Sequence, residues 1–368
     1  MEYTHKNTKI AVIGGGNIGT QFACICASRG YQVNVCSSKP ELYDGVLEAI
    51  DEFGNKTIGK LNNVCANIQE AIEDCNVIFI THPAFRLKEI ANQIQPHIKE
   101  DSCICVVPGT GGAEFAFQSC IKKGVTLLGL QRVPSVARLE QYGKRVRCEG
   151  LRKELFLASI PNSKTKDFSI FMSNLWGITC NTLPNYLNIT LTPSNPILHT
   201  TRLRTLFSNY KEGVVYERNP LFYGEWNDAS SKLLIACDEE LLSIVKKIKR
   251  LDLSGVKSLK EHYESDTIEA MTRKLSGIKS LHNIPSPMTP VDGGWIPDFN
   301  SRYFTADFPY GLAILEAFGD MIGCDIPNIK ETMNWYDMVS KSVFRFDLKR
   351  YAIRNIDDVY SFYGESSK

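Results

Sequence analysis

Gly14, Gly16 and Gly19 follow the apolar run Lys9-Ile10-Ala11-Val12-Ile13 and open a stretch with apolar residues at helical spacing, which is the pattern of a dinucleotide site. Gly14 permits a tight turn, Gly16 lets the backbone approach a pyrophosphate without a Cβ in the way, and Gly19 lets the helix lie close on the strand. The free N–H groups and positive dipole end of that helix then favour an anion. Gly14, Gly15, Gly16, Asn17, Ile18 and Gly19 are therefore expected to hold the cofactor. At the end of the next predicted strand, Gln32 to Cys36, a carboxylate would accept the ribose hydroxyls of NAD. The chain has Ser37, Ser38 and Lys39 there instead, two hydroxyls and a cation that suit a 2′-phosphate. NADP(H) is thus favoured over NAD(H), although the same serines also suit the cap of a helix starting near Pro40.

The elements that position these residues read as βαβ units. After Gly30 closes the first helix and Gln32 to Cys36 forms the second strand, Glu41 to Phe53 has a helical pattern. Asn76 to Ile80 is a short continuous apolar run typical of a central parallel strand. Thr81-His82-Pro83-Ala84-Phe85 leaves its carboxyl end, where ligands sit in open α/β sheets, so Pro83 is expected at the cofactor and His82 beside it. Cys103 to Val107 is a further strand, followed by the glycine-rich turn Pro108 to Phe115, then a strand at Thr126 to Leu130 that leads into Gln131. Strands near Lys144 to Cys148 and Glu154 to Ile160 and a helix at Ser163 to Leu175 complete the first half. From about Asn185 the pattern is almost wholly helical, as in Leu233 to Arg250 and Ser258 to Ser276. The expected fold is an α/β Rossmann-type dinucleotide-binding domain over residues 1–183 and a mostly α-helical domain over 184–368, with a ligand cleft between them.

Composition narrows the function. The 368 residues carry 42 Lys and Arg against 41 Asp and Glu, a formal charge of +1, which argues against a nucleic-acid or anionic-membrane partner and for small molecules. No apolar run approaches the roughly 20 residues of a membrane span, and the polar start leads directly into a strand, so a cytoplasmic protein is expected. The 12 cysteines are scattered, none forms a C-x-x-C pair, and several fall inside apolar elements, so they read as reduced core thiols. No Cys and His clustering suggests a metal site, and the oligomeric state stays open, a homodimer included.

Two stretches of the second half carry reactive side chains. One is Thr192-Pro193-Ser194-Asn195-Pro196-Ile197-Leu198-His199, a proline-punctuated helix entry. The other is the aromatic-rich run Asp292 to Leu312, which delivers Arg302 and Asp307. Together with the glycine fingerprint, Pro83-Ala84-Phe85, Gly111-Gly112, and Gln131 with Pro134, the elements Asn195-Pro196-x-x-His199 and Arg302-Tyr303-x-x-x-Asp307-x-Pro309-x-Gly311-Leu312 resemble the octopine/nopaline (opine) dehydrogenase family over nearly the whole chain. The resemblance implies reductive condensation of an amino acid's amine with a 2-oxo acid. It also implies His199 as catalytic histidine, Asp307 as its acidic partner, Arg302 as the substrate-carboxylate arginine and Gln131 as a substrate contact.

Elementary chemistry agrees with those roles. Reducing C=N or C=O needs a nearby proton supply, and histidine titrates in the useful range. An aspartate can hold one imidazole nitrogen and leave the other for substrate, while arginine offers a planar fork to a carboxylate. Two other readings are an NADPH-dependent reductase of a simple 2-oxo acid and a non-catalytic NADP(H)-sensing protein, the latter disfavoured by the presence of His199, Arg302 and Asp307.

Overall fold

A computed structural model of the protein describes residues 3–364. They form two compact units, one running through Thr190 and one from Leu191 to Gly364. The strands of the first are β1 (Lys9–Ile13), β2 (Gln32–Cys36), β3 (Val46–Ile50), β4 (Lys56–Lys60), β5 (Asn63–Cys65), β6 (Val77–Ile80), β7 (Cys103–Val106), β8 (Thr126–Leu130), β9 (Val136–Gln141), β10 (Arg145–Glu149), β11 (Glu154–Ile160) and β12 (Thr179–Thr182).

Eight of these strands make one sheet in the order β12-β11-β8-β7-β6-β1-β2-β5. The apolar runs at its centre, residues 10–13 of β1 with β6 and β7, are buried on both faces, as the parallel arrangement requires. The one antiparallel pairing in this sheet is β11 with β8, so β11 and its parallel neighbour β12 run opposite to the rest. Because β1 pairs with β2 on one side and β6 on the other, the loops after β1 and β6 diverge and open a crevice at their carboxyl ends. The glycine turn and Thr81-His82-Pro83 both lie there.

The other four strands form a small sheet, β4-β3-β10-β9. This sheet corrects one expectation: Glu41 to Phe53 is not a helix. A three-residue turn, Pro40–Leu42, precedes β3, in which Leu47 and Ala49 are buried while Val46 is exposed. That period of two is a strand's, and Gly45 and Gly54, both at positive φ, bracket it. The helix Asn17–Ser28 lies between the two sheets. Phe22 packs on Phe79 and Trp176 at ring separations of 5.0 and 4.9 Å. On its other face the Cys24 thiol donates to the carbonyls of Leu47 and Thr57, each at 3.4 Å. All 12 cysteines are free thiols and all but Cys148 are buried, which pushes Cys24, for example, up to about 12. Such thiols are inert.

In the second unit the helices are Ser194–Leu206, Asp228–Lys247, Leu259–His262, Ile268–Ser276, Arg302–Thr305, Ala313–Met321, Pro327–Ser340 and Ile356–Tyr363. A hairpin of β13 (Met288–Val291) and β14 (Gly294–Pro297) interrupts them. The pattern over Ser258 to Ser276 is two short helices, because Ser258 and Thr267 each cap a new N-terminus and Glu264 turns to φ 50° between them. The long helix Asp228–Lys247 organises the unit with buried carboxylates. Glu240 accepts from the amides of Asn328 and Ile329 at 2.8 and 2.9 Å, which satisfies the start of Pro327–Ser340. Asp238 does the same for the Leu259 amide at 2.8 Å.

Asp238 is 2% exposed, and burial pushes its pKa up to about 6. The folded state therefore binds its proton more tightly than the unfolded chain, and stability falls as pH rises from about 4 through about 6. Asp238→Asn keeps an acceptor for Leu259 without the charge. It should raise stability by about 2–3 kcal/mol at pH 7.5 and leave it unchanged at pH 4, as read by urea unfolding at both values. An equal change at the two pH values would contradict this account.

Candidate active site

The turn after β1 is shaped by what its glycines exclude. Gly14 has φ +122°, and a Cβ there would lie 2.6 Å from Thr81 Oγ1 and 3.2 Å from the His82 ring. A Cβ on Gly19 would collide with the Gly14 carbonyl, and one on Gly15 would lie 2.8 Å from the Tyr142 hydroxyl and 2.9 Å from Ser37 Oγ. Gly16 alone of the four faces open space. It begins the helix Asn17–Ser28 with no side-chain cap and no acidic residue in the first turn. A helix start so arranged, open at Gly16, fits the pyrophosphate of a dinucleotide. Asn17 accepts from the Leu139 amide at 2.8 Å, fixing the helix start to β9, and Ile18 packs against the core.

At the end of β2, Ser37 is buried, and its hydroxyl bonds the Tyr142 hydroxyl at 2.9 Å and accepts from the Lys39 amide at 3.1 Å. That local turn replaces the helix cap considered for the serines. Ser38 and Lys39 are exposed, with Lys39 Nζ 5.7 Å from the Tyr142 ring centre. Tyr142 packs edge to face on Tyr43. Sequence reasoning missed both tyrosines, since Tyr142 lies in a hairpin turn and Tyr43 lies inside the segment read as helix. Pro83 begins the helix Ala84–Ile94, and His82 is half-buried, its pKa lowered by burial and then by Arg86.

Gln131 lies just past β8 and is buried, its carboxamide 3.5 Å from the Asn188 carbonyl. Around it the end of the unit is tied to the sheet. The Tyr186 hydroxyl donates to the Gly109 carbonyl at 2.9 Å, in space that only the glycines at 109 and 129 leave open. Thr190 donates to buried Glu114 at 2.5 Å.

In the second unit the two reactive stretches converge. Pro193 and Pro196 sit at the start of Ser194–Leu206, where missing N–H groups leave no helical bond broken. His199, one turn on, is 6% exposed. Its Nδ1 lies 2.8 Å from Asp307 Oδ2 and its Nε2 3.0 Å from the Tyr223 hydroxyl. A carboxylate only accepts, so Nδ1 carries the proton toward Asp307, and in the neutral ring Nε2 accepts from Tyr223. Phe222 and Tyr303 enclose the imidazole at 5.6 and 4.5 Å.

Asp307 is placed by a π-turn, Phe308–Leu312, in which the Leu312 amide bonds back to the Asp307 carbonyl at 3.0 Å. Gly311 lets this turn press on the Ser194–Leu206 helix, since a Cβ there would fall 2.6 Å from Pro196 Cγ. Phe308, fully buried, stacks on Tyr336 at 4.3 Å and pins the turn from behind. Arg302 is exposed and makes no side-chain hydrogen bond or ion pair among the described residues. Burial, first, and then the charges of nearby tyrosines and Asp307 hold the Tyr223 hydroxyl well above its ordinary pKa, with Arg302 acting the other way. Gly311→Ala should destabilise the fold by about 1–3 kcal/mol and displace Asp307. The check is a denaturant midpoint together with the His199 ¹⁵N resonances. Unchanged resonances would remove Gly311 from the site's support.

Comparison with known proteins follows the same division. Residues 182–340 match the family described as NAD/NADP octopine/nopaline dehydrogenase, alpha-helical domain, and residues 9–138 match NAD-dependent glycerol-3-phosphate dehydrogenase N-terminus. Octopine dehydrogenase of Mizuhopecten yessoensis is 26% identical over 89% of this chain and 88% of its own length. Tauropine dehydrogenase of Arabella iricolor is 25% identical over 76% of this chain and 74% of its own. The structure of an octopine dehydrogenase in complex with NADH and agmatine superposes with a TM-score of 0.83 at 22% identity, covering 98% of this chain and 99% of that one.

Proposed function

Because the chain belongs to the octopine/nopaline dehydrogenase family, we propose that it is an NADP(H)-dependent opine-type dehydrogenase. It joins the amine of an amino acid to a 2-oxo acid and reduces the product to an N-(carboxyalkyl) amino acid. The observation that carries this reading is His199 bonded at both nitrogens, to Asp307 and Tyr223, with Arg302 on the same stretch as Asp307 and making no side-chain hydrogen bond or ion pair among the described residues. When bound, a reduced nicotinamide supplies the hydride. His199 supplies the proton, Asp307 orients the imidazole and stabilises its cation, and Arg302 grips a substrate carboxylate as a fork. Gln131 contributes a substrate contact, and Gly14 to Gly19 with Pro83 receive the dinucleotide. The NADP(H) preference is supported by the absence of a carboxylate at the end of β2 and by the exposed Ser38 and Lys39. Among the described residues no helix is long and apolar enough to cross a membrane.

The reaction is tested by following NADPH oxidation with a 2-oxo acid alone, an amine alone, and both. Turnover only with both is expected, whereas turnover with the oxo acid alone would identify a simple reductase. His199→Ala should lose about 100-fold or more in kcat with NADPH binding intact, and adding Asp307→Asn to it should cost little further. Additive losses would separate the two residues.

The cofactor preference has its own test. Lys39→Ala should weaken NADPH binding and leave NADH binding nearly unchanged, measured by fluorescence titration. A wild-type chain that binds NADH as tightly as NADPH would overturn the preference.

A further inference from the structure

The imidazole nitrogen that would serve the substrate is already bonded within the protein. His199 Nδ1 is committed to Asp307, and Nε2 faces the Tyr223 hydroxyl at 3.0 Å. A substrate reaches Nε2 directly only if Tyr223 moves away. The surroundings of Tyr223 hold it in place. Its ring is 6% exposed and lies between Phe222, at 5.2 Å, and Trp226, stacked at 6.3 Å with an interplanar angle of 22°. Its backbone is clamped on both sides by one buried guanidinium: Arg202 donates to the carbonyls of Leu221, Phe222 and Glu225 at 3.4, 3.0 and 2.8 Å. Arg202 is 1% exposed and belongs to the same helix as His199, three residues on. Imidazole and hydroxyl are therefore referenced to one helix, and swinging the tyrosine out would uncover a guanidinium bonded chiefly to carbonyls.

We propose that Tyr223 relays the proton between His199 Nε2 and the substrate. This rests on the opine-type reaction proposed above. In the condensation, the amine nitrogen bonds the oxo-acid carbon and passes one of its protons to the carbonyl oxygen, and the resulting hydroxyl must take up a second proton to leave as water and form the C=N–H cation. Tyr223 Oη–H gives its proton to that oxygen while Oη takes the proton from Nε2–H of the imidazolium. The C–O bond breaks with its electron pair leaving on water, the tyrosine ends neutral as it began, and His199 ends as the neutral imidazole that accepts from Tyr223. Hydride addition to the C=N carbon follows and draws on no further proton from the pair. The Arg302 guanidinium opposes the upward push that burial gives this hydroxyl.

The test uses the full chain and Tyr223→Phe. Without cofactor, the His199 Nε2 resonance should shift while Nδ1 keeps its Asp307 signature. With NADPH and both substrates, kcat should fall about 100-fold, with the oxo-acid KM within about threefold of wild type and no further loss when His199→Ala is added. Site-specific 3,5-difluorotyrosine at 223, which keeps the ring and hydroxyl but makes the latter more acidic, should restore turnover and move the alkaline limb of the kcat profile to lower pH. It also covers the case of a Tyr223→Phe chain that folds poorly. Wild-type kcat in Tyr223→Phe, a change in KM alone, or a difluorotyrosine enzyme with the wild-type pH profile would each overturn the relay. A wild-type chain that turns over no amine and oxo-acid pair overturns the reaction reading itself, and that result is told apart because it precedes any variant.

Discussion

The close approach of Gly311 to Pro196 is the constraint on which the site depends. His199 and Asp307 are 108 residues apart, and their 2.8 Å bond exists because the π-turn after Asp307 lies flat on the first turn of the His199 helix. A glycine is required on one side, since any side chain would meet the proline ring. A proline is tolerated on the other because its ring occupies a helix start, where no hydrogen bond is lost. The widened turn then carries Asp307 to a place that an unbroken α-helix would rotate away from the imidazole.

A second support is polar and fully enclosed. Burying a guanidinium is unfavourable unless its donors are satisfied, and Arg202 meets this with backbone carbonyls, Ser230 and the face of Trp226. Burial draws its pKa down to about 10, which still leaves it charged at neutral pH. The loop 221–226 therefore has a defined conformation without regular secondary structure, and the Tyr223 hydroxyl inherits that precision.

Most of the fold was legible in the sequence because its signals are local. The glycine turn and the apolar central strands each follow from runs of a dozen residues or fewer, and the 20-residue helix Asp228–Lys247, read from the sequence as Leu233 to Arg250, from apolar residues at three- and four-residue spacing. The segment Glu41 to Phe53 was misread because its apolar residues fit both periods, and the choice is made by packing against the helix Asn17–Ser28. His199, Arg302 and Asp307 could be picked out by motif. Tyr223, Arg202, Tyr43 and Tyr142 could not, since nothing in the spacing of an isolated tyrosine or arginine tells which distant residue it will meet. The inward turn of Ser37 was equally hidden, because its partner Tyr142 is 105 residues away.

The placement of the helix Asn17–Ser28 between two sheets has an energetic consequence for ligand capture. Its start is anchored by the Asn17 bond to Leu139 and its flanks by Phe22 and Cys24, so the amide cradle is ordered by folding itself. An anion arriving there meets donors whose conformational entropy has already been surrendered, and little of the binding free energy is diverted into arranging them. Affinity gained in this way is coupled to the folding equilibrium: a substitution in the small sheet, remote from the glycine turn, that loosens the cradle would shorten the residence time of an anion held there.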